Sequence, residues 1–174
     1  MGELIYTIGH STRALAELVA LLRQFGVAEL VDVRHFPRSR HNPQFNTEKL
    51  AEQLPGAGIG YSHLPELGGH RPHKPNSLNL AWQNEAFRAY ADYMETPEFA
   101  AGLEALVAKA RAGQVCIMCA EVLPWRCHRR LIADALLVAG FEVQHVLDER
   151  TVRPHVLTPW AKVVEGRVRY PAGE

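Results

Sequence analysis

The residues best suited to chemistry lie in segment 119–129, which reads CAEVLPWRCHR. This segment follows a predicted buried strand, residues 115–118, and leads into a predicted helix, residues 128–139. Backbone N–H groups and the helix dipole attract an anion at the start of such a helix, and they favour the thiolate form of a nearby cysteine. Cys119 or Cys127 is therefore the candidate nucleophile, with Glu121 or His128 for proton transfer.

Positive charge is concentrated in three segments of a chain whose formal net charge is zero. Residues 34–41, 70–75 and 126–130 hold eight of the nineteen Lys and Arg, five of the nine His and none of the nineteen acids. Arginine grips phosphate oxygens in a bidentate manner, so an anion site is expected here. The arginines predicted to bind the anion are Arg34, Arg38, Arg40, Arg71, Arg126 and Arg129. A solvated basic loop is the alternative for residues 34–41.

A second group of polar residues follows the first two predicted strands. Asp32 lies in the predicted strand 28–33 and is expected to orient Arg34 or His10 by hydrogen bonding. His10 and Ser11 follow the first predicted strand and are predicted to contribute to the same substrate-binding site. Ser11 has a second role open to it, because serine is a common N-cap of a helix.

Segment 63–69, with the sequence HLPELGG, supplies further candidates. Glu66 is a candidate general acid or base, and His63 is a candidate substrate-binding residue. The two glycines at 68 and 69 would let the backbone approach a ligand closely. The alternative is a turn that carries an exposed glutamate.

A metal centre is another interpretation of the cysteine segment. Cys119, Cys127 and His128 are ligand types that suit zinc or iron. Cys116 is excluded from this set, because residues three apart on a strand point to opposite faces of the sheet. We expect Cys116 to be a small core residue and, in the leading interpretation, no cofactor.

Hydrophobic periodicity predicts the order β-α-β-α-β-α-α-β-α-β. This order is typical of a single-domain α/β fold: a three-layer open sheet, mostly parallel and Rossmann-like, with helices on both faces. Ligands bind beyond the C-terminal ends of such strands. The segments that follow predicted strands are 9–11, 34–41, 63–69 and 119–129, and they contain the unusual polar clusters.

Several local features are also predicted. Residues 1–150 are expected to form the α/β domain, and residues 151–174 a tail with a small hairpin or an edge strand. Ser11 or Thr12 is the expected cap of the first helix, and apolar spacing predicts a helix within residues 79–95.

Composition narrows the class of protein. The 174 residues are 47% hydrophobic and 22% charged, which is typical of a globular protein and excludes disordered, collagen-like and low-complexity chains. Three cysteines within twelve residues make a poor disulfide framework. Neither a signal peptide nor a membrane-spanning run is visible, so we expect a cytoplasmic protein with no membrane partner.

Five motifs resemble those of a bacterial and archaeal family, the domain of unknown function 488. The motifs are TIGHS at 7–11, DVR at 32–34, PRSR at 37–40, HLPELGG at 63–69 and the segment 119–129. The resemblance spans roughly residues 5 to 147 and includes the family's hallmark pair, Ser39-Arg40 and the loop that ends in Cys-His-Arg. Ser39 joins the binding candidates on this ground. The resemblance implies an α/β fold but no established activity.

The leading functional hypothesis is an enzyme, a hydrolase or transferase, that acts on a phosphate-bearing substrate such as a nucleotide or nucleic-acid component. A variant within this class is N-glycosidic cleavage, in which Glu121 stabilises the developing cation. One alternative is a nucleotide or nucleic-acid binding module without catalysis. Another is the zinc or iron site. The expected partner is an anionic small molecule or a nucleic acid, and the sequence does not indicate an oligomeric state.

Overall fold

The computed structural model describes residues 3–173, which form five helices and eight strands. In chain order they are β1 (Leu4–Gly9), α1 (Leu15–Gln24), β2 (Glu29–Asp32), α2 (Thr47–Gln53), β3 (Gly60–His63), α3 (Glu85–Tyr93), α4 (Pro97–Ala112), β4 (Val115–Cys119), α5 (Arg129–Val138), β5 (Glu142–Val146), β6 (Val152–Pro154), β7 (Lys162–Val164) and β8 (Arg167–Arg169). Short 3₁₀ turns lie at Pro43–Phe45, Pro55–Ala57, Pro65–Leu67 and Pro124–Arg126.

Six strands form one sheet in the order β3-β2-β4-β1-β5-β6. All neighbouring pairs are parallel except the pair of β5 with the edge strand β6. Two apolar cores cover the two faces of the sheet, so the predicted single-domain, three-layer α/β fold is confirmed. Because β1 to β5 all run in the same direction, the loops that follow β1, β2, β3 and β4 all start at the C-terminal end of the sheet.

Strand β4 divides its side chains between the two cores. Ile117 and Cys119 join the core built with α3, α4 and α5, whereas Cys116 and Met118 join the core built with α1 and α2. This alternation follows from the period of two along a strand. Cys116 is a fully enclosed core residue, as expected, and its sulfur lies on the opposite face of the sheet from that of Cys119.

One local prediction was wrong, and a second was right about the helix but not about where it begins. The first helix begins at Leu15 with Ala14 as its N-cap, and neither Ser11 nor Thr12 caps it. Ser11 instead has a positive φ of 51° and hydrogen-bonds through its backbone N–H to the Ala120 carbonyl. The turn that follows β1 is therefore hydrogen-bonded to the loop after β4, and the helix starts only at Leu15.

The predicted helix at 79–95 begins only at Glu85, where Asn84 caps it through the Phe87 N–H. The preceding residues pair with the C-terminal tail instead: the backbone N–H of Tyr170 donates to Asn79 Oδ1, and that of Ala81 donates to the Tyr170 carbonyl. Tertiary partners thus override the helical spacing of these residues.

The C-terminal tail contains both an edge strand and a hairpin. Strand β6 pairs with β5, while β7 and β8 form a separate two-stranded sheet. Tyr170 is buried in the core beside α5, where its hydroxyl donates to Asp134 Oδ2 over 2.7 Å. Within residues 3–173 no helix is long and apolar enough to cross a membrane.

Replacing Gly9 by alanine is expected to destabilise the fold by about 2 kcal/mol or more, in the manner of overpacking. A Cβ at this position would lie 1.9 Å from the Glu121 carbonyl oxygen, so the loop after β4 must move. Gly56→Ala is the matched control, because a Cβ there meets no atom within 4 Å. Urea unfolding measures both, and equal midpoints for the two variants would contradict the close contact.

Candidate functional site

A cavity of about 470 Å³ opens at the C-terminal edge of the sheet. Its wall is built from residues 34–36, 69–73, 86–90, 119–121 and 126–128, which belong to loops after β2, β3 and β4 and to α3. Three of the four segments that sequence patterning singled out, 34–41, 63–69 and 119–129, therefore contribute to one cavity of the size that holds small ligands, and segment 9–11 does not.

The candidate residues divide into two sets. Those that line the cavity are Arg34, Arg71, Cys119, Glu121, Arg126, Cys127 and His128. Those outside its lining are His10, Ser11, Asp32, Arg38, Ser39, Arg40, His63, Glu66 and Arg129. Several residues of the second set, among them Arg129 and Asp32, form hydrogen bonds that hold residues of the first set in position.

Cys119 and Cys127 are in direct contact at the floor of the cavity, with their sulfur atoms 2.7 Å apart. Both are buried, and both are free thiols. Cys119 ends β4, and the 3₁₀ turn Pro124–Arg126 brings the chain back so that Cys127 precedes α5. The contact thus joins the C-terminal end of a central strand to the N-terminal end of a helix.

Arg129 lies beneath this thiol pair and has no exposed surface. Its Nε donates to Cys119 Sγ over 3.0 Å, and its backbone N–H donates to Cys127 Sγ over 3.3 Å. Its remaining N–H groups donate to Thr7 Oγ1 and to the carbonyls of Glu121 and Val122. Arg129, predicted to touch substrate, is enclosed by protein and holds both sulfur atoms and the loop.

The two thiols differ in acidity. Burial would raise the pKa of Cys127, but the hydrogen bond from Cys119 and the Arg129 charge outweigh it and lower that pKa to about 7. Burial and the contact with Cys127 raise the pKa of Cys119 well above its ordinary value. Near neutral pH a substantial fraction of Cys127 is therefore thiolate, to which Cys119 donates its S–H.

His128 is positioned to exchange a proton with Cys127. Its Nε2 donates to the Val33 carbonyl over 2.7 Å, which leaves Nδ1 unprotonated and 3.6 Å from Cys127 Sγ. Burial lowers the pKa of His128, so the imidazole is neutral near pH 7. His63 makes the corresponding bond one residue further along, from Nε2 to the Arg34 carbonyl.

Arg34 is fixed by a buried network rather than free to grip a ligand. Its guanidinium makes a bidentate pair with Asp32, at 2.9 and 2.6 Å, and also donates to the Phe45 carbonyl. Asp32 thus orients Arg34, and Tyr61 adds a hydroxyl donor to the same carboxylate at 2.7 Å.

His10 completes this network. Its Nδ1–H donates to the Ser11 carbonyl, so the neutral ring can accept from Arg34 Nη1 at Nε2, over 3.3 Å. Burial lowers the pKa of His10 to about 4, against the opposing effect of the Ser11 bond. His10 is therefore a neutral group that supports Arg34 in the lining of the cavity.

Arg71 and Arg126 carry the charge that remains available to a ligand. Within residues 3–173 neither forms an ion pair with a carboxylate. Arg71 is held in place by bonds to the Gly68 and Pro65 carbonyls and lies over the Tyr93 ring at 3.7 Å. In the same wall, His35 Nδ1 is buried with no hydrogen-bond partner among the described residues.

The remaining candidates occupy the periphery. Arg38 pairs with Glu48 on the surface, while Ser39 forms turn bonds to the backbone of His41 and Asn42. Arg40 is exposed, as is Glu66. Glu66 contributes its backbone carbonyl to the Tyr93 hydroxyl.

The two glycines of segment 63–69, Gly68 and Gly69, lie close to neighbouring parts of the protein. A Cβ on Gly68 would lie 2.7 Å from His35 Cα, and one on Gly69 would lie 3.3 Å from His128 Nδ1. The pair thus lets two walls of the cavity meet.

A family model described as Domain of unknown function DUF488 matches residues 14–136. This chain belongs to the DUF488 family. The match covers most of the 174 residues and includes the thiol pair and the Arg71 segment, which confirms the family, while the motif at 7–11 lies outside the matched residues. No curated protein and no solved structure matches the chain.

Sequence patterning missed a relay of buried side chains behind the site of this DUF488 protein. Thr7 Oγ1, which accepts from Arg129, contacts His145 Nδ1 at 2.6 Å, and His145 Nε2 contacts His155 Nδ1 at 2.9 Å. His155 Nε2 then reaches Asp134 Oδ1 at 2.8 Å. The members come from four separate segments, so no local spacing could reveal the relay.

Aromatic lining residues were also missed as site components. Tyr90 is fully buried with its hydroxyl bonded to the Leu67 carbonyl, and its ring centroid lies 5.2 Å from that of His128. Phe87 lines the cavity beside it. Their helical spacing indicated core packing, and only the position of α3 against α5 makes them a wall of the cavity.

The metal alternative stays a prediction. Among residues 3–173 there is no group of three or more His, Cys, Asp or Glu side chains arranged to hold a metal ion. Cys119 and Cys127 lie together, but His128 directs Nε2 to a carbonyl. The nitrogen of His128 that lies beside the sulfur atoms and could bind a metal is therefore Nδ1.

Alkylation of Cys127 by iodoacetamide is expected to rise with pH, with its midpoint near 7, because the thiolate is the reactive form. Cys127→Ser should abolish the labelling. Cys116 serves as the internal control: burial raises its pKa, so it should stay unlabelled in the folded protein. Peptide mapping by mass spectrometry gives the site, and a midpoint near the ordinary thiol value would contradict the assignment.

Stability is expected to fall as pH drops from about 6.5 to about 4. The unfolded chain binds a proton at His10 in this range, whereas the folded chain does not until pH is near 4. The loss from His10 is about 3 kcal/mol. His10→Asn should flatten the dependence, and His73→Asn, at an exposed position, should leave it unchanged.

Burial also lowers the pKa of His145, to about 3, so part of the slope should persist in the His10 variant. Urea unfolding at a series of pH values measures it. Identical slopes for the wild type and His10→Asn would refute the role of His10.

Proposed function

We propose that this protein is a thiol-dependent hydrolase or transferase that acts on a phosphate-bearing small molecule, a nucleotide or a nucleic-acid component. The observation that carries the proposal is the position of the Cys127 thiolate in the wall of a cavity that also carries Arg71 and Arg126. Nucleophile and anion-binding groups are thereby within reach of one bound molecule.

The charge balance of the cavity favours an anion. Arg71 and Arg126 have no carboxylate partner within the described chain, and His70 and His73 lie beside them. Glu121 is the acidic residue of the described lining. Guanidinium groups bind phosphate oxygens through paired N–H donors, which suits a terminal phosphate better than a neutral ligand.

The chemistry follows from the tautomer of His128. Cys127 Sγ forms a bond to phosphorus as the bond to the leaving oxygen breaks, and the leaving oxygen takes its proton from solvent. Water, in a hydrolase, or an acceptor hydroxyl, in a transferase, then attacks the phosphorus and gives its proton to His128 Nδ1. Cys127 leaves as a thiolate, which Cys119 and the backbone N–H of Arg129 stabilise.

N-glycosidic cleavage is the second candidate, and Glu121 is the observation that favours it. Its carboxylate lines the cavity and is oriented by the Leu123 N–H at 3.1 Å. A carboxylate stabilises the cation that develops on a sugar ring when such a bond breaks. In this case Glu121→Gln should remove turnover while Cys127→Ser leaves it intact.

A panel of nucleotides and phosphomonoesters tests the proposal. Cys127→Ser is expected to lower turnover by about 10³-fold, since the nucleophile is lost. Arg126→Ala should raise KM about tenfold, which corresponds to about 1.4 kcal/mol of substrate binding. Arg111→Ala, an exposed arginine of α4, is the matched control and should behave as the wild type.

Steady-state kinetics on each protein supply the readout. Full activity in Cys127→Ser would refute thiol catalysis. Binding of nucleotides that weakens steeply with salt, without turnover in any variant, would instead favour the binding module.

A further inference from the structure

The proposed phosphate chemistry uses Cys127 and leaves the adjacent thiol of Cys119 without a reacting role. Cys119 contacts Cys127 at 2.7 Å, also lines the cavity, and receives the Nε–H of Arg129. Two thiols in contact, both in the wall of one cavity, are an arrangement that a single-thiol mechanism does not require.

We propose that Cys119 and Cys127 form a redox-active dithiol that reduces an anionic, low-molecular-weight disulfide and closes to an intramolecular disulfide. This activity goes beyond the proposed function because Cys119 is a reactant and no phosphate takes part. Cys127 is the attacking residue and Cys119 the resolving residue.

The order of attack follows from geometry and charge. Cys127 is bonded by the Arg129 backbone N–H at the start of α5, where the helix dipole favours a thiolate. Both residues are nearly enclosed, and Cys119 lies at the end of β4 with no backbone N–H of α5 among the described residues directed at its sulfur. Cys127 is therefore the attacking thiol, and Cys119, in contact with it, completes the exchange.

The exchange balances as two substitutions at sulfur. The Cys127 thiolate attacks one sulfur of the substrate, the substrate S–S bond breaks, and the first thiolate leaves. That thiolate takes the proton of Cys119, whose sulfur attacks Cys127 Sγ and expels the second thiolate. In sum, the protein gives up one proton and two electrons, and the substrate disulfide becomes one thiol and one thiolate, which takes its proton from solvent.

The surroundings of the pair suit a labile rather than a structural disulfide. Arg129 is buried and stabilises negative charge on the sulfur atoms, so it favours the reduced form. A dithiol whose reduced form is stabilised is a weak reductant, so an excess of the substrate disulfide drives the exchange, and the resulting protein disulfide is readily reduced again. The Arg129 bonds to the Glu121 and Val122 carbonyls hold the loop in either state, so closure needs only a small movement of the sulfur atoms.

The cavity also selects the kind of disulfide. Arg71 and Arg126, which lack carboxylate partners in the described chain, are placed to bind the carboxylates of a peptide-like disulfide. Phe87 and Tyr90 supply apolar wall beside them. Glutathione disulfide matches this chemistry in charge and serves as the probe.

The test treats the reduced 174-residue chain with an excess of glutathione disulfide, quenches with N-ethylmaleimide and maps the products by mass spectrometry. The wild type should lose two alkylatable thiols per chain and yield a peptide pair joined through Cys119 and Cys127. Cys116→Ala, on the other face of the sheet, should give the same product. Cys119→Ser should stop at a glutathione adduct on Cys127, and Cys127→Ser should not react.

Three outcomes would overturn the proposal: no reaction of the native wild type, a lasting glutathione adduct in the wild type, or a bond that includes Cys116. The wild-type result needs no variant, so a variant that fails to fold leaves the test valid. The readout uses no phosphate substrate, so it succeeds or fails independently of the phosphoester assay.

Discussion

The buried guanidinium of Arg129 is the interaction on which the site depends. A charge removed from water must be matched by polar partners, and here these are two carbonyls, the Thr7 hydroxyl and the sulfur of Cys119. Negative charge on the thiol pair compensates the positive charge, since Cys119 and Cys127 both favour the charged form of Arg129. The shape of the loop and the acidity of Cys127 are therefore two results of one buried ion.

A second buried ion supports the opposite wall. Asp32 and Arg34 pair at the end of β2, and neutral His10 fills the space between this pair and the loop after β1. His128 and His63 then take the carbonyls of Val33 and Arg34. These hydrogen bonds hold the wall in place through protein contacts alone, which is the preorganisation that binding and catalysis need.

Arginines alike in sequence serve three different purposes. Arg34 and Arg129 are enclosed and organise protein, Arg38 pairs with Glu48 at the surface, and Arg71 and Arg126 face the cavity. Each of the three clusters of basic residues contributes residues to the lining of the cavity. The clustering could not separate these roles, since each depends on which acids and carbonyls from distant segments come within reach.

The sequence by itself determined the sheet, its two-sided core and the edge where the loops gather. Those features follow from local periodicity: alternation placed Cys116 and Cys119 on opposite faces, and strand–helix order placed segments 34–41 and 119–129 at one edge.

Only the tertiary structure decided which side chains meet. The start of α3 was shifted by the tail residue Tyr170, and the relay from Thr7 to Asp134 joins segments far apart in the chain. The contact of Cys119 with Cys127 likewise depends on how the loop after β4 folds over Gly9. Such contacts are set by packing and by the need to satisfy buried charge, and neither leaves a periodic trace in the sequence.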